Sequence, residues 1–282
     1  MAEPLVYLNG ELTPIADARV SVLDRGFIFG DGIYEVIPIY GRRMFRPAQH
    51  MARLFRSLAA ISIPNPHDQA EWMALIEEVA AGHPADDQMV YLQVTRGVAK
   101  RAHAFPADVT PTVFIMTNPI VLPSAAVRAR GVACVTMEDL RWLRCEIKST
   151  SLLGNVLAAQ NAVEHDATES IQFRDGFLTE ASSSNVWIVK DGVLMGPPKD
   201  NLILEGIRYG LIEELCAAGD ITLQARRITR DEVFAADEVL LSSATKEVLP
   251  VTSLDGQPVG NGTPGPICQK LYAAYQVAKA AA

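Results

Sequence analysis

Asp139-Leu-Arg-Trp-Leu-Arg-Cys-Glu-Ile-Lys-Ser-Thr-Ser-Leu-Leu-Gly-Asn155 is the stretch on which the reading of this chain turns. It follows an apolar run, Val132 to Val135, that reads as a strand. It leads into Leu152, Leu153, Val156 and Leu157, whose spacing suits a helix opening near Ser149 to Ser151. The one lysine in the stretch, Lys148, therefore stands at a strand-to-helix junction. A lysine so placed can be drawn into a partly buried cleft, where desolvation favours the neutral, nucleophilic amine. A solvated lysine ahead of a helix N-cap would give the same local sequence, so the choice falls to three other stretches.

Composition narrows the classes first. With 282 residues, 49% of them apolar and 21% charged, the chain has the makeup of a globular protein with a sizeable core, and two domains are expected. A formal net charge of −8 weighs against nucleic-acid binding through a general basic field. No apolar run approaches the roughly 20 residues that span a bilayer. The N-terminal Met1-Ala-Glu-Pro4 lacks a basic segment followed by a hydrophobic one, so the expectation is a cytoplasmic protein without a membrane partner. Cys134, Cys145, Cys216 and Cys268 are scattered, with no paired spacing and no matching histidines, and they read as small core residues rather than zinc ligands or disulfides. No metal site is expected.

Leu5 to Leu8 and Glu11 to Thr13 flank Asn9-Gly10, a tight-turn pair that predicts a β-hairpin. Asp24-Arg-Gly-Phe-Ile-Phe-Gly-Asp-Gly-Ile-Tyr-Glu-Val36 reads as a glycine-rich loop running into a strand from Ile33 to Tyr40. Tyr34 and Glu35 point to opposite faces of that strand. Met51, Leu54, Phe55, Leu58 and Ile61 form the apolar stripe of a helix from Pro47, with Arg53 beside it, and Trp72 to Val79 give a second helix stopped by Gly82. Strands are predicted over Met89 to Thr95 and Thr112 to Thr117. Between them, Arg101 and His103 lie in a polar loop where, if extended, they present a guanidinium and an imidazole to one anion. Asn118-Pro119 to Pro123 reads as a linker, giving domains over 1–118 and 124–282 joined by 119–123, with Lys148 in the second.

Beyond the lysine, a helix from Leu153 to His165, strands at Glu169 to Phe173 and Phe177 to Thr179, and a hairpin about Asp191-Gly192 are predicted. Thr179-Glu-Ala-Ser-Ser-Ser-Asn-Val186 sets Glu180 before a run of small hydroxyl residues, a pattern suited to close passage of a polar ligand. Gly206 just ahead of a helix bares its first amides as an anion seat. Strands at Ile221 to Ala225 and Glu238 to Leu241, a hydroxyl cluster at Ser242-Ser-Ala-Thr245 and a C-terminal helix carrying Leu271, Tyr272 and Tyr275 complete the chain.

A nucleophilic lysine, an acid among small hydroxyls, an anion seat and an arginine-bearing loop are the parts that a pyridoxal phosphate site needs. On the four stretches Asp24 to Val36, Val94 to Pro106, Asp139 to Ser149 and Thr179 to Val186, the chain resembles the class IV, fold-type IV pyridoxal phosphate aminotransferases, and within them the D-amino acid aminotransferases. The similarity runs from about Val6 to the C-terminal helix. It implies an α/β fold with a smaller N-terminal α/β domain and a larger pseudo-barrel α/β domain, usually as a homodimer. It makes Lys148 the Schiff-base lysine and proton shuttle, and Glu180 the partner of the pyridine nitrogen. Arg53 matches the phosphate arginine, and Leu204, Gly206, Ile207 and Arg208 match the phosphate cup with its approach. Ser183, Ser184, Ser243 and Ala244 complete the cofactor contacts. Tyr34, Arg101 and His103 match the trap for the substrate α-carboxylate.

Two departures fall around the phosphate, namely Arg208 where a threonine is usual and Ala244 where a hydroxyl residue is usual. Backbone amides still serve the phosphate there, and Arg208 offers a charged contact. The implied reaction moves an amino group from a D-amino acid such as D-alanine to a 2-oxo acid such as 2-oxoglutarate in two stages. Branched-chain and (R)-amine transaminases and aminodeoxychorismate lyase share the cofactor and fold, and the Arg101-x-His103 pair speaks for the D-amino acid reading over these. A non-catalytic pyridoxal phosphate binder is the rival of another class, and the presence of both Lys148 and Glu180 speaks against it.

Overall fold

The computed structural model describes residues 4–281, so the first three residues of the N-terminal Met1-Ala-Glu-Pro4 and the final Ala282 lie outside the described residues. The chain forms two units. One runs up to Ile120 and takes in Ile147–Leu152; the other comprises Val121–Glu146 and Leu153–Ala281. The division after Ile120 falls inside the stretch 119–123. Lys148 and its neighbours, expected with the second unit, associate with the first, for a reason that the hydrogen bonds below supply.

The first unit contains β1 (Leu5–Leu8), β2 (Glu11–Pro14), α1 (Arg25–Phe29), β3 (Gly32–Tyr40), β4 (Arg43–Met44), α2 (Pro47–Ala60), α3 (Gln69–Ala81), β5 (Gln88–Thr95) and β6 (Thr112–Pro119). Its strands form one antiparallel sheet in the order β2-β1-β6-β5-β3-β4. Alternation along β3 puts Ile33, Ile37 and Ile39 into a core shared with Met51, Leu54 and Leu58 of α2 and Trp72 and Ile76 of α3. Glu35 has the same parity, so it too is carried into that core. Asp24 to Phe29, read from sequence as loop, contains the short helix α1. Asp24 accepts from Gly26 N–H as its N-cap and Gly30 closes it in the left-handed conformation, signals that the glycine density concealed.

The second unit contains α4 (Ala125–Arg130), β7 (Val132–Glu138), α5 (Leu153–Glu164), β8 (Glu169–Arg174), β9 (Phe177–Ala181), β10 (Asn185–Lys190), β11 (Val193–Gly196), α6 (Ile207–Ala218), β12 (Leu223–Ala225), α7 (Arg230–Phe234), β13 (Glu238–Ser243), β14 (Glu247–Leu254), β15 (Gln257–Pro258) and α8 (Pro266–Ala280). Its mixed sheet runs β12-β11-β10-β13-β14-β7-β8-β9, with β15 on β14. Pairs β11–β12, β14–β7 and β7–β8 are parallel, and the others are antiparallel. A tight turn, Ala181 N–H to Ser184 O at 2.8 Å, returns β9 directly into β10. The last strand of the order therefore lies beside its third, and the sheet curls back on itself. Ile171, Phe173, Val186, Ile188, Leu241, Leu249 and Val251 fill the core so enclosed. Helix α4 and strands β14 and β15 were absent from the sequence reading.

Candidate active site

In the first unit, Lys148 is placed by backbone pairing. Strand β4 covers β3 only at Ile39 and Tyr40, so the edge of β3 near its start is open. Residues 147–152 take that edge. Tyr34 N–H donates to the Lys148 carbonyl at 2.9 Å, Thr150 N–H donates to Gly32 O at 2.9 Å, and Ser149 forms an antiparallel bridge with Ile33. These bonds are why Lys148 goes with the N-terminal sheet. Its Nζ stands 4.0 Å from the centroid of the Tyr34 ring, which is stacked on Tyr91. Among the described residues Lys148 makes no ion pair, so an aromatic face rather than a carboxylate seats its amine.

Across the strand, Glu35 is fully buried, and the fork of Arg53 grips it, Nε to Oε1 at 2.7 Å and Nη2 to Oε2 at 2.8 Å. His50 Nδ1 lies 2.8 Å from Oε2. Burial alone would raise this carboxyl, yet the charge and hydrogen bonds of Arg53, with those of His50, hold it far below the ordinary carboxylate range. Arg53, for which a surface position was the plain alternative, is thus a buried cation fixed on Glu35, which His50 also holds. Neither Glu35 nor His50 was singled out as a site residue from sequence. The signal was there in the parity of Glu35 with the isoleucines of β3 and in the spacing of His50 and Arg53 along one face of α2.

Arg101 and His103 lie exposed in a bent, not extended, segment. Both flank the ring of Phe29, Arg101 Cζ at 5.5 Å and the imidazole at 5.6 Å between centroids. No hydrogen bond, ion pair or ring contact joins Tyr34 to either of them among the described residues.

In the second unit, Glu180 at the end of β9 is buried. Its Oε2 accepts from Leu204 N–H at 3.0 Å and from Asn185 Nδ2 at 3.3 Å, while Arg141 Nη1 donates to Oε1. Burial pushes the Glu180 carboxyl above its ordinary value, against the pull of Arg141. Arg141 is itself forked on Asp139, Nε to Oδ1 at 2.9 Å and Nη2 to Oδ2 at 3.0 Å, and Thr179 Oγ1 donates to the same carboxylate at 2.9 Å. Asn185 Nδ2 also donates to Leu204 O at 2.8 Å. Its Oδ1 comes so close to Gly206 that a Cβ there would sit 2.3 Å away, so this approach requires glycine. Arg141, Asp139 and Asn185 were not foreseen as site residues, although Asp139-x-Arg141 lies within the opening stretch itself.

Gly206 opens α6 with no side-chain cap, leaving the positive end of a 12-residue helix dressed only by backbone. Ile207 begins that helix. Arg208, expected as a charged contact at the cup, follows in that helix. It is buried, and its Nε donates to the Tyr275 hydroxyl of α8 at 3.2 Å, so the side chain runs into the packing of α6 against α8. Ser183 and Ser184 spend their hydroxyls on the buried Glu169, at 2.8 and 2.6 Å, and Lys246 Nζ reaches that carboxylate at 2.6 Å. Ser243 and Ala244 lead into the turn between β13 and β14, where Ser243 Oγ accepts from Lys246 N–H at 3.2 Å.

A mixed α/β fold in two units, with an amine on an aromatic face in one and a buried acid ahead of an uncapped helix in the other, has the donors that a phosphorylated pyridine aldehyde needs. The chain belongs to the amino-transferase class IV family, whose model matches residues 32–254. It is similar to D-alanine aminotransferases: 42% identical over 271 residues to that of Bacillus licheniformis, covering 96% of this chain and 95% of the relative. Over 272 residues it is 40% identical to that of Staphylococcus aureus (strain MSSA476), covering 96% of each. Among solved structures, branched-chain amino acid aminotransferase of Escherichia coli superposes with a TM-score of 0.93 at 25% identity, over 98% of this chain and 94% of that one. The chain is therefore an aminotransferase, and pyridoxal 5′-phosphate is its cofactor.

Proposed function

We infer that this enzyme is a D-amino acid transaminase. It moves the amino group of a D-amino acid such as D-alanine, released as its 2-oxo acid, onto a second 2-oxo acid such as 2-oxoglutarate. The observation that carries the reading is the seating of Lys148, whose amine rests on Tyr34 rather than in an ion pair, as a nucleophile and proton carrier requires. When bound, pyridoxal 5′-phosphate supplies the electron sink that lets the substrate Cα–H bond break. Lys148 attaches the cofactor, takes the Cα proton and returns it. Glu180, fixed by Leu204, Asn185 and Arg141, holds a proton at the pyridine nitrogen. Arg53, held by Glu35, which His50 fixes in turn, and the backbone amides at the start of α6 receive the phosphate, with Ser183, Ser184, Ser243 and Ala244 shaping the surroundings. Tyr34, Arg101 and His103 bind the α-carboxylate.

The working form is a homodimer. Leu153, Val156 and Leu157 recur on one face of α5 and are 72%, 58% and 59% exposed, with Leu140 exposed in the same unit. Such an apolar stripe is what a second copy would cover. Among the described residues no helix is long and apolar enough to cross a membrane. We place the enzyme in the cytoplasm, where four free, buried cysteines stay reduced.

Turnover of D-alanine with 2-oxoglutarate, read as pyruvate formed and set against L-alanine, L-leucine and (R)-1-phenylethylamine, tests the assignment. D-Alanine is expected to be the amino donor. Turnover of L-leucine or of the amine, with D-alanine inert, would keep the family and replace the substrate class.

A further inference from the structure

The loop that carries Arg101 and His103 has little of its own to hold its shape. Among the described residues, no backbone–backbone hydrogen bond begins or ends at residues 100–111. Its carbonyls are instead collected by one buried side chain, Arg25 of α1. Arg25 Nη1 donates to Ala102 O at 2.6 Å and to Ala104 O at 3.4 Å, and Nη2 donates to His103 O at 3.3 Å. These three carbonyls follow Arg101 and include that of His103, so the fork sets the backbone from which both side chains project. The same guanidinium lies 4.8 Å from the centroid of Phe29, the ring that Arg101 and His103 also flank.

Arg25 is in turn locked. Its Nε donates to Asp31 Oδ2 at 2.7 Å, and Asp31 also receives Arg96 through Nε at 2.8 Å and Nη2 at 2.9 Å. Arg96 is pinned to the end of α2 by the carbonyls of Ser62 and Ile61, and its guanidinium covers the Phe105 ring at 3.6 Å. The chain of contacts runs from α2 through Arg96, Asp31 and Arg25 to both ends of the segment 102–105. A planar fork with several fixed donors is the feature used at each step, and lysine, a point donor on a flexible stem, cannot reproduce it.

We propose that Arg25, locked by Asp31 and Arg96, is a positioning residue for substrate recognition. By fixing the backbone at residues 102–104, it sets the reach of Arg101 and His103 toward the substrate α-carboxylate without touching substrate or cofactor. This rests on the D-amino acid reading and the role given there to Arg101 and His103. The consequence is a division of labour. Loosening Arg25 weakens capture of the carboxylate and leaves the chemistry at Lys148 intact.

The test compares Arg25→Lys, Arg101→Met and their combination in the enzyme loaded with its cofactor. Arg25→Lys is expected to raise KM for D-alanine about 10- to 100-fold with kcat at saturation within about twofold of the parent. The capture rate of the bound cofactor by hydroxylamine, a nucleophile without a carboxylate, and the cofactor absorbance should not change. In an Arg101→Met background, Arg25→Lys should raise KM by a smaller factor than it does alone, because the share that acts through Arg101 is already lost and only that through His103 remains. A residue that merely stabilises the fold would instead lower kcat and hydroxylamine capture alike and would add its effect to that of Arg101→Met, and that pattern overturns the proposal. Asp31→Asn, which keeps size and an acceptor, gives a second route should Arg25→Lys fold poorly. It should raise KM in the same direction by a smaller factor, and an unchanged KM there also overturns the proposal. If Arg101→Met raises KM while Arg25→Lys does not, this inference alone fails. If D-alanine is not a substrate, or Arg101→Met leaves its KM unchanged, the carboxylate assignment fails as well.

Discussion

Replacing Glu35 by glutamine removes the anion that Arg53 and His50 share. Glu35 is 0% exposed and Arg53 only 5%, so neither water nor salt can substitute for the lost partner. Removing one member of a buried pair leaves a desolvated charge and costs about 3–5 kcal/mol. The amide can still accept one bond from Arg53, which places the expected loss near the lower end, about 3 kcal/mol. Urea unfolding of the whole protein, followed by tryptophan fluorescence and circular dichroism, reads this. With an m-value of about 2 kcal/mol/M, the midpoint should fall by about 1.5 M. A matched replacement of both partners, Glu35→Leu with Arg53→Met, should recover much of that stability because no orphan charge remains, although cofactor affinity should fall. A midpoint shift below about 0.3 M for Glu35→Gln, or a double variant whose loss is the sum of the singles, would refute the claim that this buried pair organises α2 on β3.

Acid lability follows from the same logic. In Glu35, Asp31, Asp139 and Glu169, burial opposes ionisation but neighbouring cations prevail, so each titrates below its ordinary value in the folded protein. The folded state then binds fewer protons than the unfolded chain, so this stability is complete above the ordinary carboxylate range and is lost progressively as pH falls below it toward each group's lowered folded value. Glu180, shifted upward, has the opposite sign, one group against four. Urea midpoints at pH 7, 5, 4 and 3 should decrease monotonically below about pH 5; a flat profile would contradict the assignment. Glu180→Gln keeps the bonds from Leu204 and Asn185 but removes the anion, and kcat should fall about 10²–10³-fold with the protein still folded. Leu157→Asp on the exposed face of α5 should turn a dimer into a monomer by sedimentation, and a monomeric parent protein would remove the basis for that reading.

Local chemistry made most elements legible, and distant partners hid the rest. Asn9-Gly10 and Asp191-Gly192 set hairpins whose turn residues have the positive φ that such pairs supply. The stripe of α2 and the hydrophobic runs of β5, β8 and β10 needed no tertiary context. Strand β14 was missed because Pro250 lies in it, opposite Leu240, and proline is a poor prior for a strand flanked on both sides. The placement of Lys148 was misjudged because an open edge of β3, more than a hundred residues earlier, claims residues 147–152. Glu180 was visible as an acid among hydroxyls, but its setting depends on Arg141 and Asn185, and the serines after it serve Glu169. Arg208 meets Tyr275 of α8, a partner 67 residues away that no local pattern reveals.

The absorbance of the cofactor-loaded enzyme during titration with D-alanine in the absence of any 2-oxo acid, alongside L-alanine and a Lys148→Ala variant, tests D-amino acid transamination at Lys148. D-Alanine should remove the band of the lysine-bound cofactor, produce the pyridoxamine phosphate form and release one equivalent of pyruvate per site. L-Alanine and the variant should yield no such conversion. Conversion by L-alanine but not D-alanine, or full conversion in Lys148→Ala, would contradict it.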